Sequence, residues 1–346
     1  MQKFLPARVF YEPEALEYPL GKDLVARFRG LGILVDATGS HNRVTGIPGK
    51  TPGQSYREGK HTLVIGVRKG KTFQSCKPSA HYQLPLVTSC PGMCEYCYLN
   101  TTLGKKPYIR VYVNVEEILA AARTLTESRL PDITIFEGAA TSDPLPVEDY
   151  TGSLKRVIEF FGQMEKARFR FVTKFTNVDS LLEAKHEGHT RFRFSLNCDS
   201  VVKAYEHATP RPQERIQAAG KVLQAGYPLG FIIAPMIRVE GWRGEYEVLL
   251  SSLAEELAKK APEHWTSQNL SFEWITHRYT TRAKNNILEV FPETTLPMDE
   301  EQRKYKYGQF GYGKYIYRPE EMAEMKEFAL EMTEKYFPGA KIEYFI

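Results

Sequence analysis

Residues 133–173 read ITIFEGAATSDPLPVEDYTGSLKRVIEFFGQMEKARFRFVT. A run of β-branched and aromatic residues, Ile133–Glu137, gives way to a loop rich in Gly, Ser, Asp and Pro. Apolar residues at helical spacing follow from Val147, and a second strand pattern follows at Phe169–Thr173. Two strands joined by a helix run parallel, with a right-handed crossover. The same alternation continues on both sides. Further strands are expected at Arg110–Val113, Phe192–Leu196, Leu229–Ala234 and Leu270–Thr276, with helices starting near Val115, Val178, Pro212 and Glu245. Six such units predict an α/β fold, a partial (β/α)6 barrel, with a doubly wound open sheet as its rival. In a barrel the chemistry sits at the C-terminal ends of the strands.

Outside this series the composition changes. A helix is expected from Glu14 to Arg29. Residues 39–79 are rich in Gly and Pro and carry Arg43, Lys50, Arg57, Lys60, Arg68, Lys69, Lys71 and Lys77 against the single acid Glu58. They read as loop around one strand, Thr62–Val67. Near the other end, residues 303–318 read RKYKYGQFGYGKYIYR. Tyrosines alternate with basic residues there, and Gly308, Gly311 and Gly313 supply turns, which predicts a hairpin. A last helix is expected over Pro319–Tyr336. The chain thus divides into an N-terminal extension (1–80), a barrel (81–280) and a C-terminal hairpin and helix (281–346).

The 346 residues carry a net charge of only +4, so basic patches matter more than the total. No apolar run reaches membrane-spanning length, and Met1–Phe10 lacks a signal-peptide pattern, so a cytoplasmic protein without membrane contact is expected. Three of the five cysteines, Cys90, Cys94 and Cys97, crowd into one loop. That suits a metal or redox role rather than a disulfide scaffold. The spacing Cys-x3-Cys-x2-Cys lets three thiolates hold three irons of a [4Fe–4S] cube and leaves the fourth iron open to a small molecule. The competing reading is a structural zinc with His81 as fourth ligand. Cys76 and Cys198 fit no motif and read as buried structural thiols.

The Cys-x3-Cys-x-Tyr96-Cys signature is similar to that of the radical S-adenosylmethionine superfamily. The stretches Pro85–Asn100 and Glu137–Pro144, and the opening Tyr11-Glu-Pro-Glu-Ala-Leu, resemble the spore photoproduct lyases over nearly the whole chain. That resemblance implies a DNA-repair lyase. S-adenosylmethionine chelates the open iron, an electron cleaves its sulfonium, and a 5′-deoxyadenosyl radical abstracts hydrogen from the lesion 5-thyminyl-5,6-dihydrothymine, which reverts to two thymines. It implies a cofactor site at Ser142, Lys174, Ser195 and Asn197, with the Tyr96 backbone and Ala234 at the adenine. All but Tyr96 lie at expected strand ends. Tyr96 and Tyr98 are candidates for relaying a hydrogen atom. The family pattern has a cysteine, the donor of the returned hydrogen, where this chain has Ala140. A methyl group cannot donate, so the chain is expected to start the reaction and finish it poorly. The intact motif around Ala140 favours a deliberate substitution over a natural variant with another donor.

A stacked dimer must leave the duplex to react. Arg303, Lys304, Lys306 and Lys314 are the candidates for phosphate contacts. Tyr305, Tyr307, Tyr312 and Tyr315 are candidates for stacking or wedging. The expected partners are double-stranded DNA with the lesion flipped out, and an electron donor such as flavodoxin or ferredoxin. A monomer working in the germinating spore is expected. The alternatives are another radical S-adenosylmethionine enzyme, acting on a peptide, RNA or small molecule, and a non-enzymatic nucleic-acid binder with a structural metal.

Overall fold

The computed structural model describes residues 3–39, 41, 44–70, 72–262, 266–308 and 313–346. The chain forms two compact units, residues 1–91 with 103–191, and residues 92–102 with 192–346. Among the described residues no helix is long and apolar enough to cross a membrane.

In the first unit, Leu34–Ala37, Arg8–Tyr11, Thr62–Gly66 and Ile109–Tyr112 pair in parallel, and Val87–Thr88 adds an antiparallel edge. Thr62–Gly66 is buried at every position, as a central parallel strand covered on both faces must be. The strand expected to begin the barrel series therefore belongs elsewhere. Ile109–Tyr112 finds its partners in Thr62–Gly66 and Val87–Thr88, a non-local pairing that chain-order alternation does not reveal. The segment expected to be mostly loop also holds a helix, Pro52–Lys60. Thr51 accepts the Gln54 backbone N–H at 3.2 Å, and the Gln54 side chain accepts the Thr51 N–H at 3.3 Å. That capping box is written in the sequence as T-x-x-Q.

The same unit carries Ala80–Gln83, Thr134–Glu137 and Ala167–Thr173 as parallel neighbours, with Ser75–Cys76 folded back antiparallel on Ala80–Gln83. Helix Ser153–Gly162 buries Leu154, Val157, Ile158 and Phe161, and Phe161 stacks on Phe169 with ring centroids 5.5 Å apart. Gly162 is forced, because a Cβ there would stand 2.3 Å from the Lys185 carbonyl oxygen. The helix expected near Val178 is only a 3-10 turn, Asp179–Leu181. The chain between Thr173 and the strand Thr190–Leu196 therefore crosses over through this turn alone.

In the second unit, Thr190–Leu196, Leu229–Met236, Leu270–Thr276 and Lys341–Phe345 run parallel in that order. Helices Pro212–Gln224 and Trp242–Lys260 are the crossovers. The strand Lys341–Phe345 was not among those expected. Its alternating KIEYF is a weak signal beside the strong helix Pro319–Tyr336, which lies where expected. Under this sheet Arg193 donates to both oxygens of Glu273, at 2.8 and 3.1 Å, and the Tyr344 hydroxyl donates to the same carboxylate. The two charged side chains are 2% and 1% exposed.

Removing one member of so deeply buried a pair strands the other charge. Arg193→Ala is expected to cost about 3–5 kcal/mol. Urea unfolding followed by the fluorescence of buried Trp274 measures it, and a cost below about 1 kcal/mol, the level of an exposed pair, would contradict it.

Candidate active site

In the first unit the strand Thr134–Glu137 opens into the loop that carries Ala140, Ser142 and Asp143. Gly138 lets it turn, since a Cβ there would meet the Phe169 ring at 2.5 Å. Buried Glu137 steadies the turn, accepting the Ala139 N–H at 3.1 Å and the Ser79 hydroxyl at 3.0 Å. The Thr141 carbonyl accepts the Ser89 N–H at 2.9 Å, and Ser142 bridges Ser89. Ser89 sits at φ 66° and its hydroxyl donates to the Pro107 carbonyl at 2.9 Å. The residue before Cys90 is thus pinned by the Ala140–Ser142 loop. The Cys90 carbonyl accepts the Lys60 ammonium at 3.0 Å.

Asp143 joins two strand ends. One oxygen accepts the Lys174 N–H and the Thr173 hydroxyl, both at 2.9 Å, and the other accepts the Leu145 N–H at 3.2 Å. Ser142 and Lys174, both expected at the cofactor, flank this carboxylate. Burial pushes the Asp143 carboxyl up to about 6 despite its three donors. Glu148 accepts the Leu154 and Lys155 N–H groups at 2.7 and 3.0 Å at the start of the next helix, and burial pushes it up to about 7.

In the second unit Cys94 and Cys97 share one turn, the Cys97 N–H donating to the Cys94 carbonyl at 3.2 Å. Asn100 donates to the Cys94 carbonyl at 3.0 Å. Met93–Cys94 pairs antiparallel with Glu206–His207. Side chains repeat the stitch. Glu95 meets His207 Nε2 at 2.7 Å and accepts the Thr294 hydroxyl, while the Tyr96 hydroxyl donates to Glu206. Burial, and then the Glu206 charge, push the Tyr96 phenol well above its ordinary value, so it stays a donor. The other Glu206 oxygen accepts Arg215 Nη2 at 2.6 Å, and Arg215 Nη1 donates to the Ser195 carbonyl at 3.1 Å. Tyr96, the Cys94–Cys97 turn and the strand end at Ser195 therefore form one bonded set.

Asn197, expected at the cofactor, is bonded within the fold. Its amide donates to the Pro235 carbonyl at 2.7 Å and accepts the Tyr246 hydroxyl at 2.8 Å, so it ties strand ends together. Ala234 is partly buried near the end of Leu229–Met236, and Tyr98 is 56% exposed. Cys198 is buried, whereas Cys76 is only partly so, which corrects its reading as a buried thiol. Among the described residues no three His, Cys, Asp or Glu side chains form a ready-made metal-ion group. His81 uses Nδ1 to accept the Ile135 N–H at 3.0 Å. The donor chemistry of the three cysteines, soft thiolates with a buried ammonium on the Cys90 carbonyl, suits an anionic iron–sulfur cluster. Asp143, Glu206 and Arg215 escaped sequence reasoning as site residues, and Lys60 was read only as the start of a basic segment, Lys60 to Lys77, suited to phosphate contacts. Only Asp143 carried a signal, its place within the quoted Thr141–Pro144 motif.

The hairpin forms as expected, Lys304–Tyr307 against Gly313–Ile316, with Tyr305 opposite Tyr315 and Lys306 opposite Lys314. Lys304, Tyr305, Lys306 and Tyr307 are all exposed. Gly313 must be glycine, because a Cβ would meet the Tyr305 ring at 2.2 Å. Lys314 is partly covered, and burial with nearby Arg278 lowers its pKa. Arg303 departs from expectation. It lies 3.6 Å from the Tyr317 ring centroid and donates to the His277 and Pro297 carbonyls, both at 3.0 Å. Gly311, Tyr312, Arg43 and Lys71 lie outside the described residues.

The family model described as spore photoproduct lyase matches residues 4–346. A curated spore photoproduct lyase of Clostridium acetobutylicum is 51% identical over 98% of this chain and 98% of its own length. That of Bacillus subtilis is 50% identical over 99% and 98%. A solved spore photoproduct lyase double variant, one cysteine changed to alanine and one serine to cysteine, has bound AdoMet and dinucleoside spore photoproduct. It matches with a TM-score of 0.95, 50% identity and full coverage of both chains.

The Asp143 carboxyl titrates near 6 in the fold against an ordinary value of 3.8. Between those values the native state holds a proton that the unfolded chain has released. Its contribution to stability is present below the lower value and lost as pH rises through about 6. The melting temperature of the wild-type chain minus that of Asp143→Asn is therefore expected to fall between pH 5 and pH 7, and a difference independent of pH would contradict this.

Proposed function

The chain belongs to the spore photoproduct lyase family, and we propose that it reverts 5-thyminyl-5,6-dihydrothymine in DNA to two thymines with a [4Fe–4S] cluster on Cys90, Cys94 and Cys97 and S-adenosylmethionine. The observation that carries the reading is the Cys-x3-Cys-x2-Cys set inside a chain that matches the family from residue 4 to 346. When bound, the cluster and S-adenosylmethionine supply the electron and the hydrogen-abstracting radical. The chain supplies placement. Asp143 fixes the Lys174 backbone, Ser89 holds Ser142, and the Lys174 ammonium suits the methionine carboxylate. Glu206 and Arg215 hold Tyr96 and the Ser195 strand end. Ala234 supplies an apolar surface for adenine, and Tyr98 stands as a hydrogen relay.

The exposed face of the hairpin, Lys304 to Tyr307, grips the phosphates of a duplex from which the lesion is flipped, with Lys314 beside it. Arg303 serves this face indirectly by anchoring the start of the hairpin from within. The protein works as a monomer in the cytoplasm of the germinating spore and takes electrons from a flavodoxin or ferredoxin.

The hydrogen returned to the thymine radical needs a weak S–H bond, and Ala140 has none. Cys76 lies in the same unit, partly exposed, on the hairpin whose inner strand Ala80–Gln83 pairs with Thr134–Glu137, the strand that leads to Ala140. The solved double variant likewise combines a cysteine changed to alanine with a serine changed to cysteine. This chain is only 50% identical to that variant, so it is not a copy of it. In place of the expected poor finish and deliberate substitution, we assign the return step to Cys76 as the other donor, whose S–H breaks to give thymine and a thiyl radical.

Reconstituted chain, S-adenosylmethionine, reductant and a lesion-bearing oligonucleotide, with chromatography of the products, test both parts. 5′-Deoxyadenosine and thymine are expected. Cys76→Ala is expected to keep 5′-deoxyadenosine formation and lose clean thymine, with Cys76→Ala/Ala140→Cys recovering it. A surviving lesion refutes the substrate, and unchanged thymine from Cys76→Ala refutes the donor.

A further inference from the structure

Lys60 ends the helix Pro52–Lys60 and is 0% exposed. Lysine is almost never fully buried unless paired, because an ammonium loses its hydration at high cost. Among the described residues no carboxylate faces it. Its Nζ donates to the Cys90 carbonyl at 3.0 Å and lies 5.4 Å from the centroid of the Tyr56 ring, itself 2% exposed. The aromatic face and the negative end of the helix dipole offset part of the cost. Neither supplies a full negative charge. The helix end cannot swing outward to hydrate the ammonium without losing its seat. Gly59 packs so closely on Lys106 and Pro107 that a Cβ would meet the Lys106 backbone carbon at 2.8 Å.

We propose that Lys60 is the fixed counter-charge of the iron–sulfur cluster, a buried cation on the backbone of Cys90 that favours the reduced state. The inference rests on the cluster reading of Cys90, Cys94 and Cys97. Three thiolates on an iron–sulfide core leave a net negative charge, and reduction adds one more unit. A fixed positive charge in a water-poor setting stabilises the more negative state and raises the reduction potential. It also explains why the chain tolerates a buried ammonium with one carbonyl and one ring for company, since the missing counter-charge arrives with the cluster.

The test uses the full chain reconstituted anaerobically, as wild type, Lys60→Met and Lys60→Arg. Iron and labile sulfide are assayed first, and the midpoint potential is then followed by electron paramagnetic resonance. Lys60→Met is expected to lower the reduced-to-oxidised ratio at a fixed potential about tenfold, or about 59 mV for a one-electron couple. Lys60→Arg, which keeps the charge, is expected to stay near wild type. Without the cluster, Lys60→Met should melt no lower than wild type, because a buried charge has gone. A Lys60→Met protein that loses its cluster while Lys60→Arg keeps it also supports the inference. A Lys60→Met cluster with wild-type potential overturns it, as does loss of the cluster in both variants. Wild-type chain without iron and sulfide overturns the cluster reading itself, and this inference with it.

Discussion

Arg215 carries the second unit. Its side chain and that of Glu206 are both fully buried. It donates to the Glu206 carboxylate, the Ser195 and Pro210 carbonyls and the Thr209 hydroxyl, at 2.6 to 3.1 Å. A buried guanidinium is tolerable only when its donors are filled in this way. From that one group the bonds run outward. Glu206 holds Tyr96 in the cysteine loop, and the Glu206–His207 backbone pairs with Met93–Cys94. The strand end at Ser195 is fixed by the same fork. The short loop Pro91 to Cys97 is held by these bonds, since it buries few large apolar groups.

The first unit meets the same need differently. Burial raises the Asp143 carboxyl, and its backbone and hydroxyl donors, with the charge of Lys174, offset this only in part. Both arrangements place a buried carboxylate at the ends of parallel strands, where it holds backbone and side-chain groups of neighbouring segments. Precision at such a site comes from this supporting layer as much as from the residues in contact.

Much of this was legible in the sequence. The strands at Thr134–Glu137, Ala167–Thr173 and Leu270–Thr276 were visible as β-branched and aromatic runs, and the helix Pro319–Tyr336 from its Pro at the first turn and its apolar spacing. Cysteine spacing is local information, and so was the Lys/Tyr alternation of the hairpin. What escaped was long-range. Ile109–Tyr112 looks like any βα strand until Thr62–Gly66 is beside it. Arg303 reads as a surface cation until Tyr317 is under it, and the bonds of the Asn197 amide to Pro235 and Tyr246 have no local signal. A polar residue at a strand end is ambiguous from sequence because the same amide or guanidinium can serve the fold or the substrate.

Arg303 turned inward leaves the exposed strand of the hairpin with ammonium groups as its cations. An ammonium attracts phosphate as a point charge and lacks the flat fork with which arginine reads guanine edges. Under the DNA-contact role proposed for this hairpin, its grip has no base register and weakens evenly with salt. Ultraviolet lesions can arise wherever two thymines are neighbours, so a repair protein gains nothing from pausing at a favoured sequence. A hold made of lysines and tyrosine rings lets the molecule slide along the duplex and leaves stopping to the damaged step itself, where unstacking is cheapest.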